Sequence, residues 1–254
     1  MPNVRNQLRL NPMTELKLWK QLVYFLVGLV GLTVFELIVE FAVVIFGKNV
    51  YPNIYDYQMF LQSTGTNMFL NGVSYLAIFT VFIILVGSDV NEFLKSFKGW
   101  KPYVAAAIGF SAILMFNITY NAILTGLNIT VGDNANETSL NTMVTDFPFT
   151  SILIFAFIGP VVEEITYRVG LFSMLKRVHV SLAYAVTIIV FTLIHFDFTS
   201  STMVNELLNI PFYTFAAVTF CFLYHKFGFA SSVAAHVTNN FFSIFATILG
   251  IFNV

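Results

Sequence analysis

The chain has 254 residues, of which 57% are hydrophobic and only 10% charged, with a formal net charge of −1 and a mean hydropathy of +0.81. These values exclude an ordinary soluble domain and predict an integral membrane protein. The near-zero net charge indicates no nucleic-acid partner, and the one cysteine, Cys221, excludes a disulfide framework and a cysteine-based metal site.

Apolar runs make up most of the chain, and we interpret them as membrane-spanning helices. Residues 1–21 form a polar segment in which Asn11-Pro12 is typical of the start of a short interfacial helix. Residues 22–254 are predicted to form a single membrane domain. The runs expected to span the bilayer are 22–46, 67–87, 104–125, 149–172, 181–198, 207–225 and 229–252. The predicted fold class is therefore an all-α, polytopic helical bundle with about seven transmembrane helices.

The basic residues predict the orientation of this bundle. Ten of the twelve Lys and Arg residues lie in the N-terminal segment or in the connections around 88–103, 173–180 and 226–228. By the positive-inside rule, 1–21 is then a cytoplasmic N-terminal segment. The connection 126–148 holds acidic residues and no Lys or Arg, as expected of an external loop. We expect a multi-pass protein in contact with membrane lipid, and its compact size and lack of a targeting signal favour a bacterial plasma membrane.

The stretch 159–168 places three charged residues, Glu163, Glu164 and Arg168, inside an apolar run. A buried charge at membrane depth costs about 3 kcal/mol on insertion scales, so such groups usually line a cavity and serve a function. Pro160 predicts a kink or a restart of the helix, with the proline in the first turn. Glu164 and Arg168 have the i,i+4 spacing of an ion pair, which leaves Glu163 freer to act on a water molecule or a substrate.

Two later apolar runs carry the remaining candidate residues. His195 lies in the fifth predicted span, and His236 and Asn240 share one face of the seventh. At about 1.5 Å per residue from the cytoplasmic ends, Glu163, His236 and Asn240 lie roughly 11 to 17 Å deep and His195 about 21 Å deep. These depths predict one polar site near the middle of the membrane. Asp197 is expected outside this site, because it lies on a different helical face from His195.

Three motifs occur in order on these apolar runs: Glu163-Glu164-x-x-x-Arg168, Phe191-x-x-x-His195 and His236-x-x-x-Asn240. Together they resemble the CAAX protease and bacteriocin-processing intramembrane peptidases, also called the Abi family. The resemblance covers about 148–245, which would be the catalytic core. It implies an intramembrane endopeptidase whose substrate is a membrane-associated peptide or protein, lipidated substrates included, such as a prenylated or bacteriocin-like one.

The resemblance also implies roles for single residues. Glu163 would be the general base that activates a water molecule, with His195 as its partner, and His236 and Asn240 would stabilise the oxyanion. The chemistry of these side chains agrees with such roles. Glu163, His195 and His236 are also a candidate catalytic zinc ligand set, because two histidines and one carboxylate leave a position for water. Zinc would make the protein a metalloprotease.

Two other classes of function stay open from the sequence. A proton- or ion-coupled transporter would use intramembrane carboxylates and histidines as a relay, and the pair Glu36 and Glu40 in the first span favours it. Against a relay, both residues lie near the external end of that span, and the chain shows no matched pair of broken helices. The other class is a non-catalytic immunity or scaffold protein with the same fold. Loss of function on changing Glu163, with tolerance at Glu36 and Glu40, would select the peptidase.

Overall fold

The computed structural model describes residues 16–250, in which nine helices and no strand occur. The helices are α1 Leu18–Val50, α2 Ile54–Gln62, α3 Thr64–Ser96, α4 Lys101–Gly126, α5 Ala135–Asp146, α6 Pro148–Lys176, α7 Val180–Leu193, α8 Met203–Phe227 and α9 Phe229–Ile248. This architecture confirms the predicted all-α class. The interfacial helix predicted near Asn11 lies outside the described residues.

Five of these helices, α1, α3, α4, α6 and α8, are long and apolar enough to cross a membrane by length and composition. They correspond to five of the seven predicted spans. The other two are α7, an apolar helix of 14 residues, and α9, which is 20 residues long. Helix α9 is less apolar because it carries the polar residues His236, Asn239 and Asn240. Several apolar helices of this kind are what a multi-pass membrane protein requires.

Local sequence signals set several of the helix ends. The side chains of Ser63 and Asn134 accept hydrogen bonds from backbone N–H groups in the first turns of α3 and α5, as N-cap residues do. Pro148 lies in the first turn of α6. Backbone N–H groups in the first turn have no acceptor within the helix, so proline costs no helical hydrogen bond there. Gly228 separates α8 from α9 with a φ of 92°, a left-handed conformation that glycine adopts without steric cost. One residue is therefore enough to connect two long helices.

Helix α6 lies at the centre of the bundle. Its most apolar window is 56% buried, compared with 11% to 33% in the other four long helices. Helices α1 and α3 pack against α6, as do α7 and α9, while α4 and α8 pack on α9 and on each other. Helix α6 is continuous through Pro160, where the sequence predicts a kink or a restart, but its hydrogen bonding changes from π-helical at Ile152–Ile158 to α-helical at Gly159–Glu163 and to π-helical again at Glu164–Phe172. Pro160 thus lies in the first turn of a new segment of the same helix.

Most of the helix ends that carry Lys or Arg come together at one end of the bundle, whereas Lys48, in the last turn of α1, lies at the other end. Lys20 at the start of α1 forms an ion pair of 2.6 Å with Asp89 of α3. Arg177, just after α6, donates from Nε to the side-chain oxygen of Gln21 at 2.8 Å. The opposite end carries three connections that contain acidic residues and no Lys or Arg, namely 51–63, 127–134 and 194–202. We call these the acidic connections.

Helices α1 and α6 approach each other closely at Gly170. A methyl group placed on Gly170 would lie 2.7 Å from the backbone nitrogen of Phe25 and 2.9 Å from its Cα. Small residues at a membrane helix interface permit this kind of backbone contact. The contact matters for the site, because this half of α6 also carries Glu164 and Arg168.

We expect Gly170→Ala to destabilise the protein, because backbone atoms of α1 would have to move. Overpacking of this kind typically costs about 1–3 kcal/mol, so the unfolding midpoint in detergent should fall. The matched control is Gly87→Ala, a position at which an added methyl group meets nothing within 4 Å. Equal midpoints for the two variants would contradict the close packing of α1 on α6.

Candidate active site

One large cavity connects four of the six residues predicted for the site. It has a volume of about 2010 Å³ and is lined by Glu163, His195, His236 and Asn240. The other two predicted residues, Glu164 and Arg168, are fully buried and lie against these. The cavity extends to the acidic connections, where residues of 128–143 and of 197–205 form what we call the cavity mouth.

Glu164 and Arg168 form the predicted i,i+4 ion pair. Glu164 Oε1 lies 3.2 Å from Arg168 Nη1, and both side chains are 0% exposed. The guanidinium also lies over two aromatic rings, with Cζ 4.4 Å from the centroid of Phe191 and 5.5 Å from that of Phe220. Such cation–π contacts replace part of the hydration that a buried guanidinium loses.

The same glutamate orients a histidine. Glu164 Oε1 accepts a hydrogen bond from His236 Nδ1 at 3.0 Å, and Oε2 accepts one from the Ser232 hydroxyl. A carboxylate bonded to one ring nitrogen fixes the ring and directs the other nitrogen toward the site. His236 Nε2 accordingly lies 3.8 Å from Glu163 Oε2. The imidazole also stacks on Phe220, with ring centroids 4.4 Å apart.

Glu163 differs from its neighbour in that its buried oxygen accepts no hydrogen bond. Oε2 is buried and makes no hydrogen bond, although the side chain as a whole is 14% exposed and lines the cavity. A buried polar atom without a partner is rare in proteins and calls for an explanation such as a catalytic role. The two adjacent glutamates therefore take different positions, as helical geometry predicts, with Glu164 paired and Glu163 facing the cavity.

Asn240 connects α9 to the irregular part of α6. Its Nδ2 donates a hydrogen bond of 3.1 Å to the backbone oxygen of Phe155. In a π-helix that oxygen accepts from the N–H five residues later, which is position 160, and proline has no N–H. Asn240 therefore satisfies the carbonyl that Pro160 leaves free. Its amide carries a second N–H, and the residue lines the cavity.

His195 lies outside the helix in which the sequence analysis places it. Helix α7 ends at Leu193, so the fifth predicted span is too long, and His195 occupies the turn that follows. Its Nδ1 donates to the Phe191 carbonyl oxygen at 2.8 Å, since a carbonyl can only accept. In the neutral ring this leaves the lone pair on Nε2. The ring also stacks on Tyr213 of α8, with centroids 4.6 Å apart, so two helices fix its orientation.

Two residues that the sequence analysis missed hold the turn that carries His195. Asn134 Nδ2 donates to the His195 backbone oxygen at 3.3 Å. Glu206 is 1% exposed and accepts hydrogen bonds from the backbone N–H groups of Ala135 at 2.9 Å and Asp197 at 3.1 Å. One carboxylate thus joins the connection before α5 to the connection before α8. A carboxylate in an apolar helix could have indicated Glu206. Asn134 is recognisable as the N-cap of α5, but nothing in the local sequence connects it with His195.

Acidic residues outside the three motifs differ in their relation to the cavity. The argument that puts Asp197 on another helical face does not hold, because α7 has already ended there, and Asp197 lines the cavity. Glu36 and Glu40 of α1 are exposed and are not among the residues that line it.

The candidate zinc ligands do not form a metal site in this arrangement. Among residues 16–250, no three His, Cys, Asp or Glu side chains are grouped closely enough to hold a metal ion. His236 Nδ1 is hydrogen-bonded to Glu164 and His195 Nδ1 to a backbone oxygen, which leaves Nε2 of each ring as the possible ligand, as is usual for metal-binding histidines. These two rings and the Glu163 carboxylate are nevertheless not grouped closely enough around one point. The residues as placed do not fit a bound zinc ion, and zinc dependence stays a prediction.

Residues 145–242 match the family model of the type II CAAX prenyl endopeptidases described as Rce1-like. This segment is similar in sequence to that family. The match confirms the resemblance drawn from the three motifs, all of which lie within it. It covers less than half of the chain, and no curated protein and no solved structure matches.

At the level of the family, the Rce1-like match supports an intramembrane CAAX endopeptidase, and a protease implies a peptide or protein substrate. The Rce1-like segment does not build the cavity alone. Phe110, Ile113 and Asn117 of α4 also line it, and α1 and α3 cover α6. The helices before the matched segment therefore complete the site.

We expect Glu206→Gln to loosen both connections that Glu206 joins, because an amide NH₂ would face one of the two backbone N–H groups. Hydrogen bonds to a charged group contribute about 1.5–3 kcal/mol. Hydrogen–deuterium exchange should therefore rise in 133–137 and in 195–199. Asp146→Asn, at an exposed acid of α5, is the control and should leave both segments unchanged. Unchanged exchange in Glu206→Gln would show that Glu206 does not hold the His195 turn.

Proposed function

We propose that the protein is an intramembrane endopeptidase that hydrolyses a peptide bond with a water molecule activated by Glu163 and His195. The observation that carries this proposal is the Glu163 carboxylate, whose Oε2 is buried in the wall of a cavity that two histidines also line and accepts no hydrogen bond, with His236 Nε2 3.8 Å away. A water molecule there would give the carboxylate its missing donor. The Rce1-like match supports the same reaction class.

In the proposed reaction, the water oxygen attacks the carbonyl carbon of the scissile peptide bond, and Glu163 takes the proton from water. His195 Nε2 can accept a hydrogen bond from the same water molecule, because the ring proton is on Nδ1. The proton held by Glu163 then passes to the amine nitrogen as the carbon–nitrogen bond breaks. This transfer restores the carboxylate.

His236 and Asn240 are the proposed donors to the oxyanion of the tetrahedral intermediate. When its ring is protonated, His236 donates from Nδ1 to Glu164 and has a second N–H, at Nε2, for the oxyanion. Asn240 uses one amide N–H on Phe155 and has the other for the same purpose. Donors fixed in advance need no reorganisation during the reaction. Glu164 is a positioning residue here, because it acts through the imidazole ring.

The proposed substrate is a membrane-associated peptide or protein, with prenylated and bacteriocin-like substrates as the candidate classes. The proposed location is a bacterial plasma membrane with the N-terminus in the cytoplasm, because Lys and Arg residues of the connections lie at one end of the bundle. The cavity mouth is at the opposite end and would face the non-cytoplasmic side. The positions of Glu36 and Glu40, outside the cavity, give no support to the alternative of a transporter.

The test is cleavage of a quenched fluorescent peptide library by the purified full-length protein in detergent. Glu163→Gln should lower the rate by about 10²–10⁴-fold, the contribution typical of a general base. Glu36→Gln makes the same change outside the cavity and should keep wild-type activity. Activity that a chelator removes and zinc restores would support the metal-dependent alternative. Equal rates for wild type and Glu163→Gln would exclude the proposed mechanism.

The proposed orientation predicts which introduced cysteines react with a membrane-impermeant maleimide on intact cells. The native Cys221 is buried and should contribute little background. Ser139→Cys, at an exposed position of α5 in the cavity wall, should react without permeabilisation. Lys98→Cys, at an exposed position between α3 and α4, should react only after the cells have been permeabilised. The opposite pattern would place the cavity mouth in the cytoplasm.

A further inference from the structure

The cavity carries negative charge without any cation to balance it at its mouth. Four of the residues that line it are carboxylates: Asp133, Glu137, Glu163 and Asp197. No Lys or Arg is among the described residues of its wall. The sequence accounts for this, because 102–167 and 178–225 contain neither residue type.

The partners of these carboxylates at the mouth are neutral. Asp133 accepts a hydrogen bond of 2.8 Å from the Asn141 amide. Asp197 accepts from the backbone N–H and the hydroxyl of Thr199, at 2.8 and 2.7 Å. Neutral donors orient a carboxylate but leave its charge in place. The two aspartates therefore present uncompensated negative charge to whatever occupies the cavity.

Glu137 is a third carboxylate at the cavity mouth, and its pKa depends on the groups around it. Burial and the neighbouring Asp133 carboxylate raise the pKa of Glu137 to about 7. The other titratable groups around it are Tyr213 and Glu206 of α8. A cation bound nearby would favour the charged form of Glu137.

The size and the remaining polar groups of the cavity suit an extended peptide. Its volume of about 2010 Å³ is well above the roughly 300–1,000 Å³ typical of small-molecule pockets. Amide side chains are among the groups that line it, including those of Gln62, Asn67, Asn117, Asn121 and Asn205. Asn117 Oδ1 is buried and has no hydrogen-bond partner. Amides pair with the N–H and C=O groups of any peptide backbone, whatever its side chains.

On the basis of the proposed endopeptidase function, we propose that the cavity recognises an extended peptide segment carrying Lys or Arg, which reaches Glu163 through the acidic mouth. The backbone of the segment pairs with the amide side chains of the wall. Its cationic side chains lie among Asp133, Glu137 and Asp197. Walls of low dielectric constant focus the field of these carboxylates, which raises the local concentration of a cationic ligand and repels an anionic one.

The experiment compares three fluorescent peptides that differ only in charge, with Lys, Gln or Glu at the same positions. Their binding to full-length Glu163→Gln protein in detergent is measured by fluorescence anisotropy, since this variant should bind without cleaving. The Lys peptide should bind at least about tenfold more tightly than the Glu peptide at low salt. The difference should shrink as the salt concentration rises. Equal binding of the three peptides would overturn the proposal.

A pair of double variants locates the charge that is responsible. Asp133→Asn with Asp197→Asn should remove most of the preference for the Lys peptide. Asp56→Asn with Asp146→Asn is the matched control, because it makes the same charge change on exposed acids at the same end of the bundle but outside the cavity. An equal loss of preference in the control would overturn the proposal in favour of general surface charge.

Cleavage of the same three peptides by the wild-type protein separates this inference from the proposed function. Cleavage of all three with equal efficiency would keep the endopeptidase and exclude recognition of charge. Preferential binding of the Lys peptide without cleavage of any peptide would support charge recognition and count against the endopeptidase.

Discussion

The buried ion pair between Glu164 and Arg168 is the constraint on which the rest of the structure depends. Two fully buried charges in an apolar bundle are tolerated only when each is compensated, and removing one partner of such a pair typically costs about 3–5 kcal/mol. Each compensating group comes from a different helix: Phe191 from α7, Phe220 from α8 and His236 from α9. The pair in α6 therefore fixes three other helices, and with them the ring nitrogen that faces Glu163.

The irregular hydrogen bonding of α6 affects both the packing of the helices and the candidate active site. Because Pro160 cannot donate to the Phe155 carbonyl, Asn240 does so and ties α9 to α6 at the level of the site. Asn240 is thus part of the helix packing whether or not it also donates to an oxyanion. Loss of activity on changing Asn240 alone would not assign it a catalytic role, since the position of His236, one turn away on α9, would change as well.

Features set by spacing along one helix could be predicted from the sequence. The ion pair in α6 and the different positions of Glu163 and Glu164 follow from the helical period, and the same period places Ser232 on the face of His236. The end of α7 could not be predicted, because the sequence stays largely apolar beyond Leu193 and hydropathy extends the span to 198. Contacts distant in sequence surround the turn that follows, among them the hydrogen bond from Asn134. Helical periodicity carries no information on such contacts, and it places Asp197 wrongly because it assumes that α7 continues past Leu193.

The distribution of Lys and Arg links the orientation of the helices to the proposed recognition of substrate. Most basic residues of the described chain gather at one end of the bundle, and Lys48 at the other end does not line the cavity, so Asp133 and Asp197 have no cation in the cavity wall to pair with. At a lipid-facing or fully buried position, such acids would carry a high desolvation cost. Asp133 and Asp197 instead face a wide cavity, where their charge can remain and act on a ligand. The unequal distribution of Lys and Arg orients a membrane protein in the bilayer. In this protein the same distribution leaves the cavity mouth negatively charged, which suits a cationic peptide.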